Sequence, residues 1–198
     1  MNTDNYYTYD ELENFKVKKI GKNLRISKKA SLYECEKMEF GDNVRIDDFC
    51  VLSGKLIFGN HVHIACFCFL AGADEGIYFD DFSGFAYRVT AFTRSDDYDG
   101  ETLTNPTIPE KYRYKTIRKC IYIKKHAIVG AGSVIMPGAH IEEGVSIGAI
   151  SLVTKPTEAW SIYFGMPVKK IKPRKKLLLE QEKEFLLEKE ISSELGTL

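Results

Sequence analysis

The sequence predicts an all-β solenoid, a stack of triangular coils made of short parallel strands, with one projecting loop and a C-terminal α-helix. Three observations carry this. First, an aliphatic or aromatic residue recurs at every sixth position through Ile123, Val129, Ile135, Ile141, Ile147 and Val153, and again through Phe40, Ile46, Leu52, Phe58, Ile64 and Leu70. Second, small or branched residues stand four positions after these, namely Ala127, Ser133, Ala139, Val145 and Ser151 in one run and Val44, Cys50, Leu56, Val62 and Cys68 in the other. Third, the stretch IVGAGSVIMPGAHIEEGVSIGAISLVTK, from Ile128 to Lys155, holds no Phe, Tyr or Trp yet alternates aliphatic and polar residues without a break.

A period of six matches neither the 3.6 of a helix nor the 2 of an isolated strand. It reads as a short strand plus a corner, three such units closing one coil of 18 residues. Coils stacked about 4.8 Å apart let each backbone N–H and C=O pair with the coil above or below. The recurring aliphatic points into the prism and the small residue lets the corner pack closely. Glycines such as Gly41, Gly59, Gly130 and Gly144 suit corners that need unusual backbone angles. Terminal elements are then required as caps.

Taken in order, residues 1–38 are mixed and aromatic and are expected to cover the lower end of the prism. Residues 39–160 form the solenoid. Its phase slips by three residues through AGADEG and resumes at Phe79, Phe85 and Ala91. Residues 94–120, RSDDYDGETLTNPTIPEKYRYKTIRKC, break the repeat and are expected to project from one corner; long irregular loops in compact domains tend to be functional. Residues 161–198 form a tail and, after Pro173, an amphipathic helix marked by Leu178, Phe185 and Leu186.

The 198 residues suffice for one domain with a real core. Net charge is zero and the pI near 6.9, so neither nucleic acid nor an anionic membrane is an expected partner. No apolar run reaches the length of a transmembrane segment, and the polar, acidic N-terminus is unlike a signal peptide. Five cysteines without framework spacing fit a cytoplasmic location. Cys50 and Cys68, one coil apart, read as small core residues; Cys66-x-Cys68 lacks a second ligand pair at zinc spacing.

Two hexapeptide arrays, the projecting loop and the tail IYFGMPVKKIKPR together resemble the hexapeptide-repeat acetyltransferases, over roughly residues 40–174. The loop is most similar to that of sugar O-acetyltransferases of surface-polysaccharide biosynthesis; galactoside, maltose and antibiotic acetyltransferases resemble it more distantly. Gly165-x-Pro167-x-Lys169 narrows the likeness to acyltransferases. The resemblance implies a left-handed parallel β-helix, a homotrimer, and acetyl-CoA as co-substrate lying in a groove between subunits, without a metal. It places Ala131 and Ala149, with Ser133 and Ser151 in the next column, along the pantetheine arm. Thr154, Lys155, Lys169 and Lys172 are placed at the nucleotide and its phosphates, where cations are needed.

Acetyl transfer needs a base for the acceptor proton and a donor for the oxyanion. Better-known relatives carry a histidine at the mouth of the loop; here that place reads FTRSDDYDG. Three readings stand: another histidine is the base, with His63 first and His126 second; an acidic residue, Asp96 or Asp97, takes the base's role; or the acceptor needs no strong base. Asp96 and Asp97 otherwise orient an imidazole, bind acceptor hydroxyls or hold the loop turn. The expected function is acetyl transfer from acetyl-CoA to a sugar hydroxyl, by direct attack in a ternary complex. The acceptor is a sugar or nucleotide sugar. The alternative is N-acetylation of a nucleotide-linked amino sugar, since an amine tolerates a weaker base. A zinc-dependent carbonic anhydrase of the same fold, drawing on His61 and His63, and a non-catalytic scaffold are the remaining readings. Gly130-x-Gly132 opens no βαβ unit and marks no dinucleotide site.

Overall fold

The computed structural model describes residues 5–194, which form a parallel β-solenoid of about seven turns, left-handed like the acetyltransferases it resembles, followed by a helix. Every residue of the sixfold columns is buried. The strands fall on three faces. The first face stacks Arg25–Ile26, Arg45–Ile46, His63–Ile64, Gly84–Phe85, Ile128–Val129, Ser146–Ile147, Ser161–Phe164 and, antiparallel at the end, Lys169–Pro173. The second stacks Ser31–Tyr33, Val51–Ser53, Phe69–Ala71, Thr90–Phe92, Val134–Ile135 and Leu152–Val153, and the third Met38–Phe40, Leu56–Phe58, Ile77–Phe79, Ile121–Ile123 and His140–Ile141.

Register follows the repeat. Ile46 lies against Ile64 and Leu52 against Leu70, one 18-residue coil apart. Where coils are longer, the extra residues all leave at the corner between the second and third faces. AGADEG makes Phe58 pair with Phe79, and residues 94–118 make Phe79 pair with Ile123. Solenoid pairing begins inside residues 1–38, the segment expected only to cap: Ile26 pairs with Ile46 and Leu32 with Leu52, 20 residues apart. A 3-10 turn at Cys35–Lys37 occupies the extra space and hides that coil from a six-residue ruler.

At the corner between the third and first faces, the backbone takes the left-handed conformation at Asn43, His61, Phe82, His126, Gly144 and Trp160. Only one of these is glycine. The left-handed penalty for the others is offset by a backbone bond to the coil below: His61 N–H donates to Asp42, Phe82 to Asn60 and His126 to Asp81. Gly41, Gly59 and Gly130, expected to supply unusual angles, do not have positive φ. They serve close approach instead, since a Cβ on Gly41 would lie 2.5 Å from the Gly59 carbonyl oxygen.

Helix α1 (Tyr9–Asn14) closes the lower end, feeding Leu12 into the core and starting in a capping box between Thr8 and Glu11. Helix α2 (Leu178–Glu194) lies along the third-to-first corner. It was expected to be amphipathic, but Leu186, Leu187 and Ile191 stay exposed. Its docking rests on polar anchors. Glu182 binds Lys125 and His126, the Arg174 Nη1 donates to the carbonyls of His126 and Gly144, and Phe185 meets Phe82 and His61 edge-on. No helix among the described residues is long and apolar enough to cross a membrane.

Candidate active site

Outward positions of the first face form an axial ladder, Arg25, Arg45, His63, Gly84, Ile128, Ser146 and Ile162, each paired with the next. The missing side chain at Gly84 opens a hollow of about 400 Å³ between His63 and Ile128, walled by Ala65, Ala86 and Tyr87. It cannot be filled cheaply, because a Cβ there would meet the His63 carbonyl oxygen at 2.7 Å.

His63 stands at the edge of this hollow, and its imidazole is held. Its Nε2 lies 2.8 Å from Asp47 Oδ2, while Arg45 Nε donates to Asp47 Oδ1 at 2.6 Å. Parallel stacking of Arg45 on His63 brings these groups together, and the Asp47 N–H is tied to the Ile64 carbonyl. Asp47 keeps only 11% of its side chain exposed and His63 51%. With Nε2 turned to the carboxylate, Nδ1 is the ring nitrogen left without a partner among the described residues. That is the arrangement of an oriented base. Asp47 was missed in the sequence because it lies sixteen residues from His63 and meets it only through coil stacking.

Above the hollow, the first-to-second corner is floored by Ala86, Gly130, Ala131, Gly148 and Ala149. Gly130 and Gly148 have no room for a Cβ, which would fall 2.4 Å from Ala149 N and from the Phe164 ring. The corner therefore stays narrow and small-walled toward the strand that carries Lys169 and Lys172, both exposed and without an ion pair among the described residues. Thr154 and Lys155 are exposed one strand further on, at the second-to-third corner. Ser133 and Ser151 correct the expectation: their side chains are interior. Ser133 Oγ donates to the Gly148 carbonyl and accepts from the Ser151 N–H, and Ser151 Oγ accepts from the Gly165 N–H, so both are spent on joining coils rather than on a ligand.

The loop bearing Asp96 and Asp97 rises on a short hairpin, Arg94–Ser95 against Ile117–Arg118, braced by Arg94 on Asp74 and Glu75. Asp97 is committed to the turn. It accepts the N–H groups of Asp99, Glu101 and Thr102, and these bonds hold its carboxyl below the usual range. Asp96 accepts the Asn105 N–H at 3.0 Å and lines a hollow with Arg94, Arg113 and Arg118. The loop leaves at the second-to-third corner, opposite the first face that carries His63.

His126 does not share the His63 hollow. It is 8% exposed, stacks on Phe82 at 5.4 Å, and gives its Nε2 to Glu182 at 2.9 Å beneath α2. His61 does border the His63 hollow; its ring stacks on Phe82 at the same corner as His126, where burial and the nearby Lys189 ammonium push its pKa down. No group of three His, Cys, Asp or Glu side chains placed to hold a metal ion occurs among the described residues. Cys50 and Cys68 are buried free thiols, each donating to a corner carbonyl.

No family model matches the sequence. Over 178 residues the chain is 36% identical to the dTDP-4-amino-4,6-dideoxy-D-glucose acyltransferase of Escherichia coli, covering 88% of this chain and 92% of that one. It is 37% identical to the galactoside O-acetyltransferase of Lactococcus lactis over 68 residues only, 34% of this chain and 33% of that one. Among solved structures it superimposes on AntD, an N-acyltransferase from Bacillus cereus in complex with dTDP and 3-hydroxybutyryl-CoA. The TM-score is 0.91 and the identity 42%, covering 94% of this chain and 98% of AntD.

Proposed function

The chain belongs to the hexapeptide-repeat acyltransferases, enzymes that draw on acyl-CoA, and from this we propose that it acylates the amino group of a nucleotide-linked deoxy-amino sugar. One observation carries the choice of acceptor. Similarity to the dTDP-amino-sugar acyltransferase and to AntD covers 88% and 94% of the chain, whereas similarity to the O-acetyltransferase is confined to about a third of it. The hydroxyl reading, which rested on the loop, gives way to the amine alternative weighed beside it.

The chemistry asked of the chain is modest. The amine lone pair attacks the thioester carbonyl carbon, the tetrahedral intermediate collapses, the C–S bond breaks, and the nitrogen loses a proton. His63 Nδ1 is the proposed acceptor of that proton, with Asp47 stabilising the imidazolium. Ala131 and Ala149 are proposed to flank the pantetheine arm, with Lys169, Lys172, Lys155 and Thr154 toward the nucleotide of CoA. The reading also takes a homotrimer, in which a neighbour's loop would carry Asp96 to the His63 hollow. Exposed Phe49, Phe67 and Tyr87 beside that corner suit such a contact. The product suits surface-glycan assembly.

The test follows thiol release from acetyl-CoA with dTDP-4-amino-4,6-dideoxyglucose and with the 4-hydroxy analogue of the same nucleotide sugar. Turnover with the amine, giving a product that survives mild base as an amide does, is expected. Turnover with the hydroxyl sugar alone overturns the reading.

A further inference from the structure

The lower half of the first face carries a feature the reaction above does not use. Arg25 and Arg45 stand on successive coils at the same outward position. Like charges stacked at ladder spacing repel unless something anionic lies between them. Arg25 is exposed and has no hydrogen bond or ion pair among the described residues. Arg45 is aimed by its Nε bond to Asp47, and its two terminal nitrogens are uncommitted among those residues. Both line an open hollow of about 410 Å³ with Asn23, Asn43 and Val44. Asn23 Nδ2 donates to Asn43 Oδ1, leaving the Asn43 amide N–H groups as further donors beside the guanidinium pair.

We propose that Arg25 and Arg45 hold the diphosphate of the nucleotide-linked acceptor, which rests on the acceptor class proposed above. A guanidinium binds phosphate oxygens in a two-pronged fashion, and two stacked forks match two linked phosphoryl groups. The ladder then sets the rest of the acceptor by position. The sugar ring lies one coil up, over His63, and its reacting amine points at the Gly84 hollow. CoA also carries a diphosphate, but its candidate cations lie at the other end of the same face. Lys172 pairs with Ile162 and so stands six strand steps beyond Arg45 on this face, roughly 29 Å at about 4.8 Å per step. The two substrates therefore approach the His63 hollow from opposite ends of one groove.

Calorimetric titration of the full-length protein with dTDP and, separately, with CoA tests this on wild type, Arg25→Ala and Arg25→Lys. Arg25 is exposed and unpaired, so its loss leaves the fold intact, which a thermal melt verifies. The expected result is a loss of about tenfold or more in dTDP affinity for Arg25→Ala, partial recovery in Arg25→Lys, and unchanged CoA affinity. Unaltered dTDP binding in Arg25→Ala overturns the subsite while leaving the amino-sugar reading in place. Weakened CoA binding overturns it by assigning the arginines to the donor. A wild-type protein that binds CoA but not dTDP overturns both the subsite and the nucleotide-linked acceptor.

Discussion

Asp47→Asn removes the charge that orients His63 while keeping nearly the same shape. In the native protein the carboxylate accepts from His63 Nε2 at 2.8 Å and from Arg45 Nε at 2.6 Å. A hydrogen bond to a charged group contributes roughly 1.5–3 kcal/mol. His63 is half exposed, so water screens part of this and the lower end, about 1.5–2 kcal/mol, applies. At about 1.36 kcal/mol per tenfold, kcat should fall roughly ten- to thirtyfold if the interaction is expressed in the transition state. His63→Ala should lower kcat about 100-fold or more, the ordinary loss for a general base. Because the two residues act as one unit, the double variant should be no slower than His63→Ala alone. The assay is steady-state thiol release at saturating acyl-CoA, with a thermal melt to confirm that Asp47→Asn stays folded. A single variant within twofold of wild type, or a double variant whose loss is the product of the two, refutes the coupling.

Three further outcomes follow from the packing. Glu182 is held below the usual glutamate range: burial opposes this, but its bonds to Lys125 and His126 outweigh it. Its contribution to docking α2 is therefore complete above the ordinary carboxylate pKa and lost as pH falls through the lower folded value. Trp160, the only tryptophan, lies 6.2 Å from the His126 ring, so an acid-induced change in its emission should appear in wild type and be absent from Glu182→Gln. Gly130→Ala drives a Cβ to 2.4 Å from a backbone nitrogen of the next coil; a loss of about 1–3 kcal/mol, or roughly 2–4 °C in Tm per kcal/mol, is expected in a calorimetric melt. Lys169→Ala and Lys172→Ala should each raise the KM for acyl-CoA several-fold without changing that for the acceptor, as each removes a charge-assisted phosphate contact of about 1.5–3 kcal/mol that solvent screens in part. An unchanged KM in both would remove them from the CoA path.

The parts of this molecule that could be read in advance are those where a single residue answers to its own coil. Ile135 and Val153 are buried because a prism three short strands around admits nothing else at the inward position, and that constraint repeats every six residues. The same ruler assigned Ser133 and Ser151 only to corner packing; the structure buries both, against the ligand role that family likeness implied for them. The coil around Ile26 and Leu32 escaped it because two additional residues at the 3-10 turn shift the phase without disturbing the stack.

What escaped the sequence altogether is neighbourhood between coils. Asp47 beneath His63, Glu182 against His126, and Arg45 over Arg25 join residues 16, 56 and 20 positions apart. Which residues meet depends on the accumulated length of every coil and on where the insertions leave. All of them leave at one corner, which roots the Asp96 loop opposite the face that carries His63. The hexapeptide pattern alone thus determined the fold, the core and the small-walled corner, because each is a local steric requirement repeated along the chain. The tertiary structure alone decided the composition of the candidate site, because stacking converts distance along the chain into vertical contact only after every coil length is summed.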